Sequence, residues 1–337
     1  MKKILCIIIS LFLIFPFKYS PFAYGQGQLS SRNCSLNMIL EELGFYKEVQ
    51  KDSFKRLCNC AGIELPNDFT SKSLLELVMN TQKLFTNRKS NQERWEINPL
   101  DWMKKNSKQN LEDIKTLGFI DDILPKNKKY DAVCVLGAVN STMKNRIKFL
   151  EKLVDSGIEI SRIFLLSSER YVSYVDGNDE EILEICKKFE VDKKNLTEAH
   201  LIKNIFDSSS LSKNYTSILI DTRSINGSRP TTKTTVQDFC KWAKDNNFKD
   251  NVLFISSQPN IFYQKSIISE VLDNVEFEFE VIGPKTESKD VQNLVGALGS
   301  YLWAYMPKII IKSGFNIESS EEIQMAKSLY GFHPLFM

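Results

Sequence analysis

From Tyr130 onward, short apolar runs alternate with longer amphipathic ones, and this alternation confines the chain to a narrow class of folds. Each short run suits a buried strand, and each longer one carries its apolar residues at helical spacing. Strands are expected at Asp131–Leu136, Arg162–Leu166, Ser217–Ile220, Asn251–Ile255 and Phe277–Ile282. Helices are expected near 141–156, 179–190, 197–208, 233–246, 260–273 and 290–305. Parallel neighbours need a crossover, and a helix supplies it. The pattern therefore predicts a Rossmann-like α/β domain over residues 128–311, a mostly parallel sheet wrapped by helices.

Residues 26–127 read differently. Leu36, Ile39, Leu40 and Leu43 recur at helical spacing, as do Leu74, Leu75, Leu77, Val78 and Leu84, and then Leu111, Ile114, Leu117 and Ile120. Gly44, Pro66, Pro99, Gly118 and Pro125 punctuate them, so this stretch is expected to be a helical N-terminal region. Residues 312–337 read as a C-terminal tail. The apolar stretch Leu294–Met306, with Ile309, Ile310 and Ile311 beyond it, is interrupted by Pro307 and Lys308 before it reaches spanning length. It is expected to be the last helix against the sheet followed by a final strand.

The chain begins Met1-Lys2-Lys3 and runs apolar from Ile4 to Phe17, with small residues at Ala23 and Gly25. This is a secretory signal pattern over residues 1–25, which makes the protein exported, periplasmic or secreted. The alternative is an uncleaved N-terminal membrane anchor. Once the leader is removed, no stable membrane span is expected. Six cysteines then remain, and Cys34 pairs with Cys58 or Cys60 or all three stay thiols. Forty-four basic residues balance 42 acidic ones without a basic tract, which argues against a nucleic-acid partner. Nothing in the sequence identifies a protein partner.

In an open parallel sheet, ligands bind beyond the carboxyl ends of the strands, where helix amino termini point free N–H groups. The loops at that edge are therefore the ones to read. The first carries Gly137, Ala138 and Asn140, with the candidate ligand-binding Arg146 in the helix that follows, and the second Ser167, Ser168, Glu169 and Arg170. The third carries Asp221, then Arg229, Thr231 and Thr234, and the fourth Ser256 and Gln258. Hydroxyls, helix amino termini and guanidinium groups together suit an anionic small molecule. Gly137, Ser168, Glu169, Thr231, Ser256 and Gln258 are expected to line one pocket. Glu169 and Glu198 are the candidate acid or base, and with Asp221 they would hold a cation if their side chains converge.

The order Tyr130-Asp131-Ala132-Val133-Cys134-Val135-Leu136-Gly137-Ala138, then Met143 and Arg146, Ser167-Ser168-Glu169-Arg170, Thr197-Glu198-Ala199, Arg229-Pro230-Thr231-Thr232 and Ser256-Ser257-Gln258-Pro259 resembles the SanA/YdcF/ElyC family of bacterial envelope-linked proteins. The resemblance spans roughly residues 128–300 and is of a divergent kind. It implies a Rossmann-like sheet, a role near the cell envelope and a nucleotide-type ligand. The family's glycine-rich loop matches Gly137 and Ala138, its helix-borne glutamate matches Glu198, and its hydroxyl-led turn matches Thr231 and Thr234. Two turns depart from the family: Ser168-Glu169-Arg170 replaces a glycine-rich ending, and Ser257-Gln258-Pro259 replaces a histidine-containing one.

No Gly-x-Ser-x-Gly elbow, P-loop or His-Glu-x-x-His motif occurs, and no motif names a cofactor or a metal. Of the two histidines, His200 reads as a solvated helix position and His333 lies in the tail. Two classes remain: an enzyme acting on an anionic envelope metabolite, and a non-catalytic binding or envelope-assembly factor. The leader gives the first test. Intact-mass measurement of the exported protein should show residues 1–25 missing, and an exported species that still carries Met1 would point to an anchor instead.

Overall fold

The computed structural model describes residues 34–330, apart from 89–91, 93–95, 226–228, 274, 276, 277, 316 and 318. The leader with its cleavage site, Phe277 and His333 lie outside the described residues. The described residues belong to one compact unit.

The chain opens with β1 (Cys34–Ser35), α1 (Leu36–Glu42), α2 (Glu48–Cys60) and β2 (Asp68–Phe69), followed by α3 (Ser71–Thr81), α4 (Asp101–Lys105) and α5 (Ser107–Thr116). Strands β1 and β2 pair as a short antiparallel ladder. Then come β3 (Lys129–Tyr130), β4 (Ala132–Leu136), α6 (Asn140–Asp155), β5 (Glu159–Ile160), β6 (Ile163–Ser168), α7 (Asp179–Phe189), α8 (Glu198–Asp207) and β7 (Ser217–Thr222). The remainder is α9 (Thr232–Asp245), β8 (Val252–Ile255), α10 (Ile261–Leu272), β9 (Phe279–Ile282), α11 (Val291–Lys312) and α12 (Ser320–Tyr330). The expected strands and sheet helices are all present, within a few residues of the boundaries read from the sequence except for α11, which runs on to Lys312.

Five strands form an all-parallel sheet in the order β7-β6-β4-β8-β9. Every residue of β4, β6 and β8 is buried, because helices cover both faces, and this is why these strands read as unbroken apolar runs. Alternation along the strands divides the core in two. Val133, Val135 and Leu165 pack on α6, α7 and α8, while Cys134, Phe164 and Phe254 pack on α9 and α10. From β4 the chain lays β6 and β7 on one side and then returns to lay β8 and β9 on the other. The reversal between β4 and β8 is a topological switch point, where the loops leave the sheet in opposite directions and open a crevice.

A third core joins the N-terminal helices to α11 and α12, with Phe54, Leu74, Phe85, Phe119, Leu298 and Leu302 at its centre. Here the structure corrects the sequence reading of the C-terminal stretch. Ile309, Ile310 and Ile311 belong to α11, which runs through Pro307 without becoming a strand. The helix packs on α10 from the sheet domain and on α3 and α5 from the helical layer. It is apolar on both sides because it has partners on both sides, which also accounts for its being long and apolar enough to cross a membrane by length and composition. The tail beyond it holds α12, with Ala326 buried against this core. The six described cysteines are free thiols, among them Cys34, Cys58 and Cys60.

Two glycines in α11 respond oppositely to a methyl group. A Cβ on Gly299 would lie 2.5 Å from Thr86 Oγ1 and 3.0 Å from Phe85 Cβ, whereas one on Gly296 would meet nothing closer than 3.6 Å. Gly299→Ala should therefore cost about 1–3 kcal/mol in urea unfolding. Gly296→Ala should be neutral or stabilising by up to about 1 kcal/mol, since alanine is the better helix former.

Candidate functional site

The site is built around a glycine and a carboxylate. Gly137 leaves β4 and donates its N–H to Leu166 O of the neighbouring strand at 2.6 Å. A Cβ at this position would stand 2.1 Å from Glu198 Oε1 and 3.0 Å from Leu166 O. Only glycine leaves room for the carboxylate. Glu198 is the first residue of α8, where the free N–H groups and helix dipole favour a negative charge. Its Oε1 accepts from Ser168 N and Ser168 Oγ, each at 3.2 Å, and its Oε2 accepts from Arg170 Nε at 3.0 Å. Thr197 caps the helix, and His200 closes the cap by accepting the Thr197 N–H on Nδ1 at 3.1 Å.

Arg170 continues the cluster inward. It holds Asp176 through a two-pronged pair, both bonds at 2.8 Å, and donates to Ala138 O at 3.0 Å. Asp176 also accepts from Ser173 N at 2.9 Å and Asn140 N at 3.1 Å. One guanidinium thus links the loop after β4, the loop after β6 and the start of α8. Beneath them Arg146, only 2% exposed, donates to Leu136 O at 2.6 Å and Gly137 O at 2.9 Å. Its other edge reaches Ser257 Oγ at 3.1 and 3.3 Å, so it ties the loops on either side of the switch point together.

Burial sets the charge states against the ion pairs. Desolvation pushes the Glu198 carboxyl up, and the opposing pull of Arg170 and Ser168 does not cancel it. Desolvation would also raise Asp176, but there Arg170 and the N–H donors win and hold it below the ordinary carboxylate range. Burial brings Arg146 down to about 10, which leaves it charged near neutral pH.

Above this cluster lies a cavity of about 370 Å³, within the size range of small-molecule sites. Gly137, Ala138, Ser168, Arg170, Glu198, Arg229 and Thr231 line it together, although they are far apart in sequence. Thr231 caps α9, exchanging bonds with Thr234. Thr232, from the Arg229-Pro230-Thr231-Thr232 turn, lines the wall too, with Thr235, Tyr263 and Arg88, and of these Arg88 was not singled out from the sequence. Arg88 comes from the helical layer, so no pattern within the sheet domain pointed to it. The spacing Ser173-x-x-Asp176 was the one available signal for Asp176, since it caps a short turn.

Other expected pocket residues lie elsewhere. Strand alternation turns Ser168 toward the cavity and therefore sends Ser167 and Glu169 to the opposite face of β6. Glu169 and Asp221 line a second cavity of about 430 Å³ with His200 and Arg223. Glu169 accepts from Ser224 N at 2.9 Å and from Arg223 at 3.3 Å, and the Ser224 N–H in particular holds it below its ordinary value. Burial raises Asp221. Glu169, Glu198 and Asp221 therefore do not converge on one cation, and no group of His, Cys, Asp and Glu among the described residues is placed to share one. Ser256 is buried and donates to Gln264 Oε1. Gln258 donates to Gly118 O at 2.8 Å and Asp121 O at 3.0 Å, so it fastens the helical layer to the sheet rather than facing the cavity. Asn140, Arg146 and Thr234 support the site from outside its lining. His200 is half-exposed and also caps α8.

The chain matches no protein-family model, and none of the curated proteins searched matches it.

Asp176 should be the most sensitive member of the cluster. Asp176→Ala leaves the Arg170 charge buried without its main partner and should cost about 3–5 kcal/mol near neutral pH. The folded-state value of Asp176 is depressed, so its contribution is present above the unfolded value of 3.8 and fades as pH falls through the lower folded one. The stability gap between Asp176→Ala and the parent should therefore narrow in strong acid, as read by denaturant unfolding across pH.

Proposed function

We propose that this chain is an exported, envelope-associated α/β protein of the SanA/YdcF/ElyC kind, and that it binds an anionic small molecule in the cavity above Gly137 and Glu198. The observation that carries the reading is the composition of that cavity. Three guanidinium groups, Arg88, Arg170 and Arg229, face a single carboxylate, and the hydroxyl-capped start of α9 stands in the same wall. An anion there meets guanidinium forks and the positive end of a helix, at a strand edge where such folds bind ligands. Arg170 is almost fully buried and holds Asp176 and Glu198, and Arg229, which lines the same wall beside the start of α9, is the residue whose replacement tests the reading.

In the enzymatic version of this reading, Glu198 is the proton donor. Burial raises its pKa, and a carboxyl that keeps its proton closer to neutrality suits general acid catalysis. One observation favours the alternative of binding without turnover: both Glu198 oxygens are already engaged by Ser168 and Arg170. In that version Glu198 shapes the floor of the cavity and does no chemistry.

Arg229 provides the test. Inorganic phosphate should raise the unfolding temperature of the parent protein. Arg229→Lys keeps the charge but loses the fork, and should bind phosphate more weakly by about 1–3 kcal/mol with nearly unchanged stability in the absence of phosphate. A large loss of stability in phosphate-free Arg229→Ala would make the residue structural and count against the site.

A further inference from the structure

The second cavity, of about 430 Å³, opens on the other face of β6 and has no part in the anion site. It exists because β7 is an edge strand. Strands β4, β6 and β8 are buried throughout, whereas most of β7 is half-buried and Leu219 is exposed, so α8 covers that edge only in part. Strand alternation turns Leu219 and Asp221 to this face, and Glu169 joins them just beyond the end of β6. Opposite stand His200 and Lys203 on α8, with Phe189 at the end of α7. Tyr171 forms the rim and is 58% exposed. A bridge between Tyr171 and Thr197 places it there, with Val172 N donating to Leu196 O at 3.0 Å and Glu198 N to Arg170 O at 2.8 Å.

The wall is balanced in charge and incomplete in hydrogen bonding. Arg223 lies 3.3 Å from Glu169 and 3.6 Å from Asp221, and Lys203 is paired with Asp207. Each ionised group of the wall thus has a counter-ion within the protein. His200 accepts the Thr197 N–H on Nδ1, so in the neutral ring the proton sits on Nε2, which makes no hydrogen bond among the described residues. Burial lowers the His200 value and keeps the ring neutral near neutral pH. Asp221 Oδ1 likewise has no hydrogen-bond partner among the described residues.

We propose that this cavity is a second ligand site, and that it takes a neutral saccharide, with one sugar ring against Tyr171 and its hydroxyls on Asp221, Glu169 and the His200 Nε2–H. A pyranose is apolar on its C–H face and polar around its edge. The wall has the same division, an aromatic surface at the rim and acceptors beside a donor deeper in. A hydroxyl donates and accepts at once, which suits carboxylate oxygens next to N–H groups. A charged ligand would instead have to displace the existing ion pairs. The volume is that of a small-molecule site.

The chain has only two histidines, which makes the test direct. The mature chain is titrated with glucose, galactose, mannose, N-acetylglucosamine and chitobiose while the imidazole signals are followed by NMR, with His200→Gln to assign them. At least one sugar should shift the His200 signals saturably and leave those of His333 in place. Tyr171→Ala should weaken that sugar about 10-fold with an unaltered unfolding midpoint, and Tyr171→Phe, which keeps the ring, should bind like the parent. Asp221→Asn, which exchanges an acceptor for a donor, should weaken it about 5-fold or more. Phosphate binding by Tyr171→Ala should match the parent's. If no sugar shifts His200, or if Tyr171→Ala and Asp221→Asn bind the sugar as the parent does, the inference fails and the anion site is untouched. A His200 shift with adenosine and with none of the sugars would make the cavity a nucleoside pocket and overturn it equally.

Discussion

Arg170 is the interaction on which the geometry of the site depends. It is almost fully buried and spends its donors on Asp176, Glu198 and a backbone carbonyl. A guanidinium withdrawn from water in this way is tolerated only when its donors are matched, because the desolvation cost exceeds what a loose ion pair returns. Here the matching groups come from two loops and a helix start, so satisfying one side chain fixes all of them. Glu198 then presses against Gly137, and that contact fixes the exit of the central strand. Arg146 does the same from below, binding the carbonyl groups of Leu136 and Gly137 and reaching across to Ser257. The crevice at the switch point is therefore braced on both sides by two buried arginines, the kind of support that a preorganised site would need.

The sheet was legible because its physics is local in sequence. A strand covered on both faces must be apolar throughout, and β4, β6 and β8 appear in the sequence as such runs. The edge of the sheet that would carry the loops was legible for the same reason, and Gly137, Ser168, Glu198, Arg229 and Thr231 do meet there. The side of the sheet to which each loop residue points was harder to read. Ser168 and Glu169 are neighbours with similar claims, yet the pleat sends one to the cavity and the other to the opposite face. Placing them correctly needs the strand to be followed to its last residue, and β6 runs to Ser168, two residues beyond its expected end. Gln258 was misplaced because its partners, the carbonyl groups of Gly118 and Asp121, lie well over a hundred residues away.

The same limit explains the error at the C-terminus. An apolar stretch with a proline near its end reads as a helix followed by something else, because proline removes a hydrogen bond and crowds the preceding turn. In the structure α11 absorbs Pro307 near its last turns, where buried neighbours on two sides outweigh the local cost. The information that decided the outcome was the existence of a second partner, and that partner is the N-terminal helical layer. The pattern of α11 alone cannot announce it, because a helix buried between two layers and a helix crossing a bilayer share the same composition.

The position of α11 also gives the helical layer a reason to exist beyond stability. The layer packs on α10 through α11, and α10 begins at Ile261, next to the cavity residue Tyr263. Gln258, the residue directly after the Ser257 that Arg146 grips, reaches the other way to hold the backbone at Gly118 and Asp121. The loop after β8 is thus held by the sheet domain on one side and by the helical layer on the other. Moving the layer would move that loop and the start of α10, and with them one wall of the cavity. A separate accessory domain would meet the sheet through polar contacts at a rim. Here α11 has apolar partners on both sides and the connecting polar bonds are buried or half-buried, so the layer and the sheet hold the walls of this cavity together.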